Sequence, residues 1–326
     1  MSGLIQVDQL TKNYRVYKKE PGFWGAVKGL WHRRYDETAA VNNISFSVEE
    51  GEMVGFLGPN GAGKTTTLKM LAGLIYPTSG RAQVLGYTPW QRANAFKRQF
   101  ALVLGQKNQL WWDVPAAESL ELNRVIYGLE KAAAQRVIDE LSELLDVKDK
   151  LRVMVRELSL GERMKMELIA ALLHEPKVLF LDEPTIGLDV ISQKKVREFL
   201  RDYTKRKKIT TLLTSHYMQD IEELCPRVII VDRGLLFFDG ALQQILDRFS
   251  AFKLMTLTRR GGTENFPVFE GVEVVAREGD QIKLKVERAQ IAPISQRLLS
   301  TWQPDDISIE EVPIEDIIRQ VFAERR

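Results

Sequence analysis

Cysteine is almost missing from this chain: Cys225 stands alone among 326 residues. One thiol excludes an internal disulfide and a thiolate-rich metal centre, and it fits a reducing compartment. Histidine is scarce as well, and His32, His174 and His216 are too scattered along the sequence to suggest a metal site. No apolar run approaches the roughly 18 residues of a membrane span. Met1–Leu10 carries Asp8 and lacks a long apolar core, so no signal peptide is expected there. An excess of one charge is absent: Lys and Arg total 46 against 44 Asp and Glu, a net of +2, which argues against a nucleic-acid partner. Internal repeats and low-complexity tracts are lacking too. The chain is long enough for one large α/β domain and a smaller one.

Against these absences one stretch stands out. Gly58-Pro59-Asn60-Gly61-Ala62-Gly63-Lys64-Thr65-Thr66 follows the apolar run Met53–Leu57 and leads into a helix-like segment, Leu68 to Leu74. This is the spacing of a phosphate-binding loop between a strand and a helix. Its glycines let backbone N–H groups turn toward a polyphosphate, and the helix N-terminus adds further donors. Lys64 is placed to reach the β- and γ-phosphates and the Thr65 hydroxyl to ligate Mg²⁺. A Gly-rich turn without a ligand is the bland alternative; the flanking strand and helix favour a nucleoside triphosphate.

Short apolar runs alternate with helical segments up to about residue 245: Met53–Leu57, Ala101–Leu104, Val178–Leu181, Thr210–Thr214 and Val228–Val231. Buried parallel strands read this way, so a doubly wound α/β sheet is expected over residues 1–245. Residues 116–173 show helical patterning only and predict an inserted helical subdomain. Residues 246–326 change character. Lys253–Thr258, Val272–Ala276 and Ile282–Val286 predict strands, and Ala289–Ser300 and Pro313–Phe322 predict helices with Ile307–Val312 between them. A small α+β domain, ferredoxin-like in pattern, is expected.

Two further motifs follow the loop. Val178-Leu179-Phe180-Leu181 ends in Asp182-Glu183-Pro184. A carboxylate at the end of a buried strand is costly unless it meets a cation, so Asp182 is expected to help hold Mg²⁺ and Glu183 to polarise an attacking water. Leu158-Ser159-Leu160-Gly161-Glu162 opens an amphipathic helix for which Ser159 is a suitable N-cap. With these three motifs in order, the sequence resembles the ATP-binding subunits of ABC transporters over residues 4 to about 245. Their signature LSGGQ is matched here as LSLGE, with Leu160 in place of Gly and Glu162 in place of Gln; Ser159 and Gly161, the phosphate contacts in the family, are retained.

The resemblance assigns further roles. Gln106 resembles the glutamine that couples Mg²⁺ and water to the membrane partner, with Gln109 as the alternative. Gly187-Leu188-Asp189 looks like the loop that touches an opposing subunit, and His216 like the switch histidine at the γ-phosphate. Adenine would stack on Tyr14, which fits the upstream pattern and is the favoured residue, with Tyr35, which keeps the spacing to Gly58, as the alternative; residues 15–37 form an insertion between the two patterns. The family implies two ATP molecules sandwiched between two copies, each γ-phosphate meeting the opposing Ser159, Gly161 and Glu162. It also implies membrane-spanning permease subunits, two different ones in the bacterial branch of viologen- and drug-exporter-like ATPases that this chain is similar to. That places it at the cytoplasmic face of the membrane. Trp111 and Trp112 would line the permease-docking groove or pack inside the helical subdomain. Within the insertion, Trp24, Val27, Leu30 and Trp31 share a helical face that would lie on the bilayer surface, on the partner or on its own domain.

Overall fold

The computed structural model describes residues 3–17, 35–105, 107–249, 251–260, 266 and 272–311. Contacts divide the chain into two compact units, Met1–Gly240 and Ala241–Arg326.

The first unit begins with two long strands, β1 (Ile5–Tyr17) and β2 (Tyr35–Val48), followed by β3 (Met53–Leu57), helix α1 (Lys64–Leu71), β4 (Ser79–Val84) and β5 (Phe100–Leu104). Three helices come next: α2 (Ala116–Tyr127), α3 (Lys131–Leu144) and α4 (Leu160–Leu172). Then β6 (Val178–Asp182), α5 (Val190–Lys207), β7 (Thr210–Thr214), α6 (Met218–Leu224), β8 (Arg227–Asp232) and β9 (Leu235–Ala241) complete the sheet. Its order is β5-β6-β7-β3-β8-β9, with β5, β6, β7, β3 and β8 parallel. Every residue of β3, β6 and β7 is buried, as expected of parallel strands covered on both faces. All five apolar runs form these strands, and between residues 116 and 173 no strand forms: helices are linked by turns, with one isolated bridge from Met154 to Pro115.

A second sheet, β2-β1-β4, is antiparallel and was not anticipated. Ile5, Val7 and Leu10 of β1, Ile44 and Phe46 of β2 and Val84 of β4 are buried in one cluster with Val54 and Phe56 of β3 and Leu68 and Leu71 of α1. The P-loop helix is thus held between two sheets. Helix α1 begins at Lys64, earlier than the periodicity suggested, and ends before Gly73, whose φ of 70° continues no right-handed helix.

The second unit contains helix α7 (Leu242–Phe249), strands β10 (Phe252–Thr258), β11 (Val272–Glu278) and β12 (Gln281–Glu287), helix α8 (Ile291–Thr301) and strand β13 (Asp306–Glu311). The sheet order is β11-β12-β10-β13, with every adjacent pair antiparallel. It follows that β12 and β13 run parallel with β10 between them, joined by α8. Likewise β10 and β11 run parallel with β12 between them. This strand order and these strand directions are those of the ferredoxin-like pattern. Met255, Leu257, Ile282, Leu284 and Val286 pack with Ile294, Leu298 and Trp302. The helix expected over 313–322 and the insertion segment bearing Trp24 and Trp31 lie outside the described residues.

Candidate functional site

The loop between β3 and α1 needs backbone that only glycine adopts readily. Gly61 and Gly63 have φ of 81° and 103°. A Cβ on Gly63 would also sit 2.2 Å from the Ala40 carbonyl oxygen, so β2 passes directly against the loop. Asn60 and Gly61 are exposed, Ala62 is buried and Thr66 half-buried. Lys64 is 7% exposed, and its Nζ donates to the carbonyls of Gly58 at 2.6 Å and Pro59 at 3.1 Å. Burial pushes its ammonium below the ordinary lysine value, while Glu183 and Asp182 act in the opposite sense. A buried ammonium on a loop whose N–H groups converge is a polyphosphate cradle.

The end of β6 supplies both carboxylates, and the end of β7 supplies their partners Thr214 and His216. Thr65 Oγ1 donates to both Asp182 oxygens, at 3.1 and 2.9 Å, and Thr214 Oγ1 donates to Asp182 Oδ1 at 2.7 Å. Asp182 and Thr65 thus share one oxygen-rich point, the donor set a hard cation such as Mg²⁺ takes. Glu183 follows with a left-handed backbone, φ 57°, an uncommon conformation for a non-glycine residue. Its Oε1 lies 2.8 Å from His216 Nε2, while Oε2 is buried with no hydrogen-bond partner. Thr65, Asp182 and Glu183 line one cavity with Gly105, Lys69 and Lys107. The phosphate loop, the Asp-Glu pair and the histidine expected from sequence are therefore brought together.

Some contributors gave no motif. A Cβ on Gly105 would meet the Glu183 carbonyl oxygen at 2.1 Å, so the exit of β5 presses on Glu183. Asp220, fully buried, accepts from Thr185 and from Ser215 Oγ and pairs with Arg197 Nη1 at 3.2 Å. One carboxylate thereby ties the residues flanking Glu183 and His216. Thr214 and Gly105 sit at the ends of strands already recognised, and that position was the available signal.

The signature segment faces its own surroundings. Ser159 caps α4: its Oγ accepts from Glu162 N at 3.2 Å, and its N–H donates to Glu162 Oε2 at 2.9 Å, a complete capping box. Glu162 Oε1 meets Lys150 Nζ at 3.3 Å. The negative charge that Glu162 adds to the signature is thus matched within the same chain. Gly161 is close-packed, since a Cβ there would lie 2.4 Å from Ser192 Oγ, and Asp189 caps α5 through Ser192. Beside them Leu160, Val190 and Ile191 stand exposed, the last at 82%. Among the described residues no hydrogen bond or ion pair joins Ser159, Gly161 or Glu162 to the P-loop of the same chain.

Gln106 lies outside the described residues. Its alternative, Gln109, is exposed, and its Nε2 donates to the Leu102 carbonyl at 2.6 Å. Trp111 is 62% exposed and Trp112 44%, so packing inside the helical subdomain is not their role. Tyr14 pairs with Thr38 and Tyr35 with Tyr17 in the β1–β2 ladder. Tyr14 is therefore opposite a residue two positions from Ala40, the P-loop contact, while Tyr35 is about 17 Å further along β2 from Ala40 itself.

The fold and this constellation define a P-loop nucleotide-binding ATPase with a doubly wound α/β core. An ABC transporter family model matches residues 41–186. The ABC transporter ATP-binding protein NatA of Bacillus subtilis (strain 168) is 35% identical over 208 residues, spanning 64% of this chain and 84% of that protein. The Nod factor export ATP-binding protein I of Burkholderia orbicola (strain AU 1054) is 39% identical over 215 residues, 66% of this chain and 70% of its relative. A solved ATP-binding subunit of an ABC transporter superposes with a TM-score of 0.63 at 27% identity, covering 75% of this chain and 92% of that one. The chain belongs to the ATP-binding proteins of ABC transporters, and it is an ATPase. Among the described residues no helix is long and apolar enough to cross a membrane.

Proposed function

We propose that this chain hydrolyses Mg²⁺-ATP to drive export through separate membrane-spanning permease subunits, two different ones, at the cytoplasmic face of the membrane. The single observation that carries the hydrolytic role is Glu183. One oxygen is held by His216, the other is buried and unpartnered, and Glu183 lines the cavity together with Asp182 and Thr65. That free oxygen is placed to accept a proton from an attacking water. Thr65 and Asp182 would hold Mg²⁺, which would neutralise phosphate charge. Asn60 to Thr66 would cradle the phosphates, and Tyr14 would stack on adenine. Two copies would close on two nucleotides, with Ser159 and Gly161 of each copy addressing the γ-phosphate of the other. The exposed apolar Leu160, Val190 and Ile191 beside them favour burial against a second copy. The export direction is supported by the Nod factor export relative. Gln106 would sense the permease, docked by Trp111 and Trp112.

The test is Glu183→Gln. It is expected to lower kcat by about 10²–10⁴-fold, the usual worth of a general base. The variant should keep its ATP affinity and run as an ATP-dependent dimer by light scattering. Normal turnover in Glu183→Gln would remove Glu183 from this role, and a wild-type chain without affinity for Mg²⁺-ATP would end the proposal.

A further inference from the structure

An inward-facing carboxylate in the middle of a helix is costly unless hydrogen bonds offset its burial. Glu167 on α4, about one and a half turns beyond Gly161, is 3% exposed. Its Oε1 accepts from the backbone N–H of Gln109 at 2.9 Å and of Leu110 at 3.2 Å, while Oε2 is buried without a partner. Burial pushes its carboxyl above the ordinary value, and the two N–H groups and Arg163 act against that. One turn earlier, Arg163 lays its guanidinium 5.3 Å from the centre of the Trp112 ring. Residues four apart share a helix face, so Arg163 and Glu167 grip the same loop. Its other fastenings are neutral hydrogen bonds: Gln109 reaches Leu102 of β5, the Trp111 N–H donates to Ser119 Oγ of α2 at 3.1 Å, and the Trp112 carbonyl accepts from the Arg156 N–H at 3.1 Å. An apolar side chain would satisfy packing at position 167; a carboxylate binding two loop amides does more than fill space.

We propose that Glu167 is a positioning residue that fastens the loop Gln109–Trp112 to the signature helix, so that the exposed tryptophans and the Ser159–Gly161 end of α4 move as one body. Its geometry stands alone; its consequence for pairing rests on the ATP sandwich between two copies. A load applied at Trp111 and Trp112 then reaches the signature directly through α4.

The experiment uses the full chain with Glu167→Gln, which keeps an acceptor oxygen at the same length, and Glu167→Met, which removes it. Hydrogen exchange at Gln109 and Leu110 is expected to quicken about tenfold or more in Glu167→Met and to stay within about twofold in Glu167→Gln, as for loss of a hydrogen bond to a charged group. In the Glu183→Gln background, Glu167→Met should weaken ATP-driven dimerisation about tenfold with monomer ATP affinity within about twofold, and Glu167→Gln should restore it. Unchanged exchange in Glu167→Met, unchanged dimerisation, or losses of ATP affinity and dimerisation that track its melting temperature would each overturn the proposal. Should the Glu183→Gln chain stay monomeric with ATP, the sandwich reading fails by itself, and the exchange comparison alone decides Glu167.

Discussion

At the scale of single residues, the site is built from side chains whose environment was set by backbone position. Tyr14 is the clearest case. The sequence favours Tyr14 over Tyr35 on the upstream pattern, although an insertion separates the two halves of that pattern. The ladder register, with Tyr14 opposite Thr38 and Ala40 against the P-loop, supports the same choice. Tyr14→Ala is expected to weaken ATP binding by about 0.5–1.5 kcal/mol, the worth of an aromatic stacking contact, and Tyr35→Ala by less. Isothermal titration of both variants reads this directly, and the reverse order would assign adenine to Tyr35. Motif residues such as Lys64, Asp182 and Glu183 were legible because their chemistry demands fixed spacing along the chain. Thr214, Asp220 and Glu167 were not. Each serves a partner distant in sequence, and nothing local distinguishes a threonine that bonds Asp182 from one that merely fills a strand.

At the scale of elements, the parallel strands announced themselves as continuous apolar runs, while β1, β2 and β4 did not. In β1 the alternation of Ile5 and Val7 is broken before Leu10 by a register shift, and Gln9 there has φ 49°. A bulge of this kind moves the buried positions out of period, so strict two-residue counting misses the strand. The start of α4 is legible: Ser159 reads as an N-cap in the sequence, and in the structure it forms a full capping box with Glu162. That box carries a pH-dependent consequence. The Ser159 N–H, and then Lys150, hold the Glu162 carboxyl below its ordinary value. A depressed carboxyl contributes stability above its unfolded value and loses it as pH falls through the folded one. Glu162→Gln keeps a capping side chain but cannot ionise. It should therefore be less stable than wild type by up to about 1 kcal/mol near neutrality, with the difference shrinking in thermal melts as pH falls below the ordinary glutamate range.

At the scale of the whole first unit, the two sheets are joined by polar as well as apolar contacts. Arg227 at the start of β8 pairs with Asp239 of β9 at 2.7 Å and with Glu52 before β3 at 3.1 Å, and its Nη2 donates to the Ser47 carbonyl of β2 at 3.0 Å. The Asp239 hydrogen bond, with Glu52 behind it, raises the Arg227 value further. One guanidinium thus spans both sheets, which Lys cannot do with a single ammonium. Arg227→Met is expected to destabilise the unit by about 1.5–3 kcal/mol, read by urea unfolding, because two carboxylates lose a charged donor. Arg227→Lys should recover part of that. An Arg227→Met variant as stable as wild type would mean that apolar packing alone joins the sheets.

The close approach at Gly105 has a consequence of its own. The β5 exit and the Glu183 carbonyl are separated by less room than one methyl group requires. There is no slack between them. Whatever pushes the segment that leaves β5 toward β6 presses on the carboxylate's own peptide unit, without an intervening lever, hinge or relay.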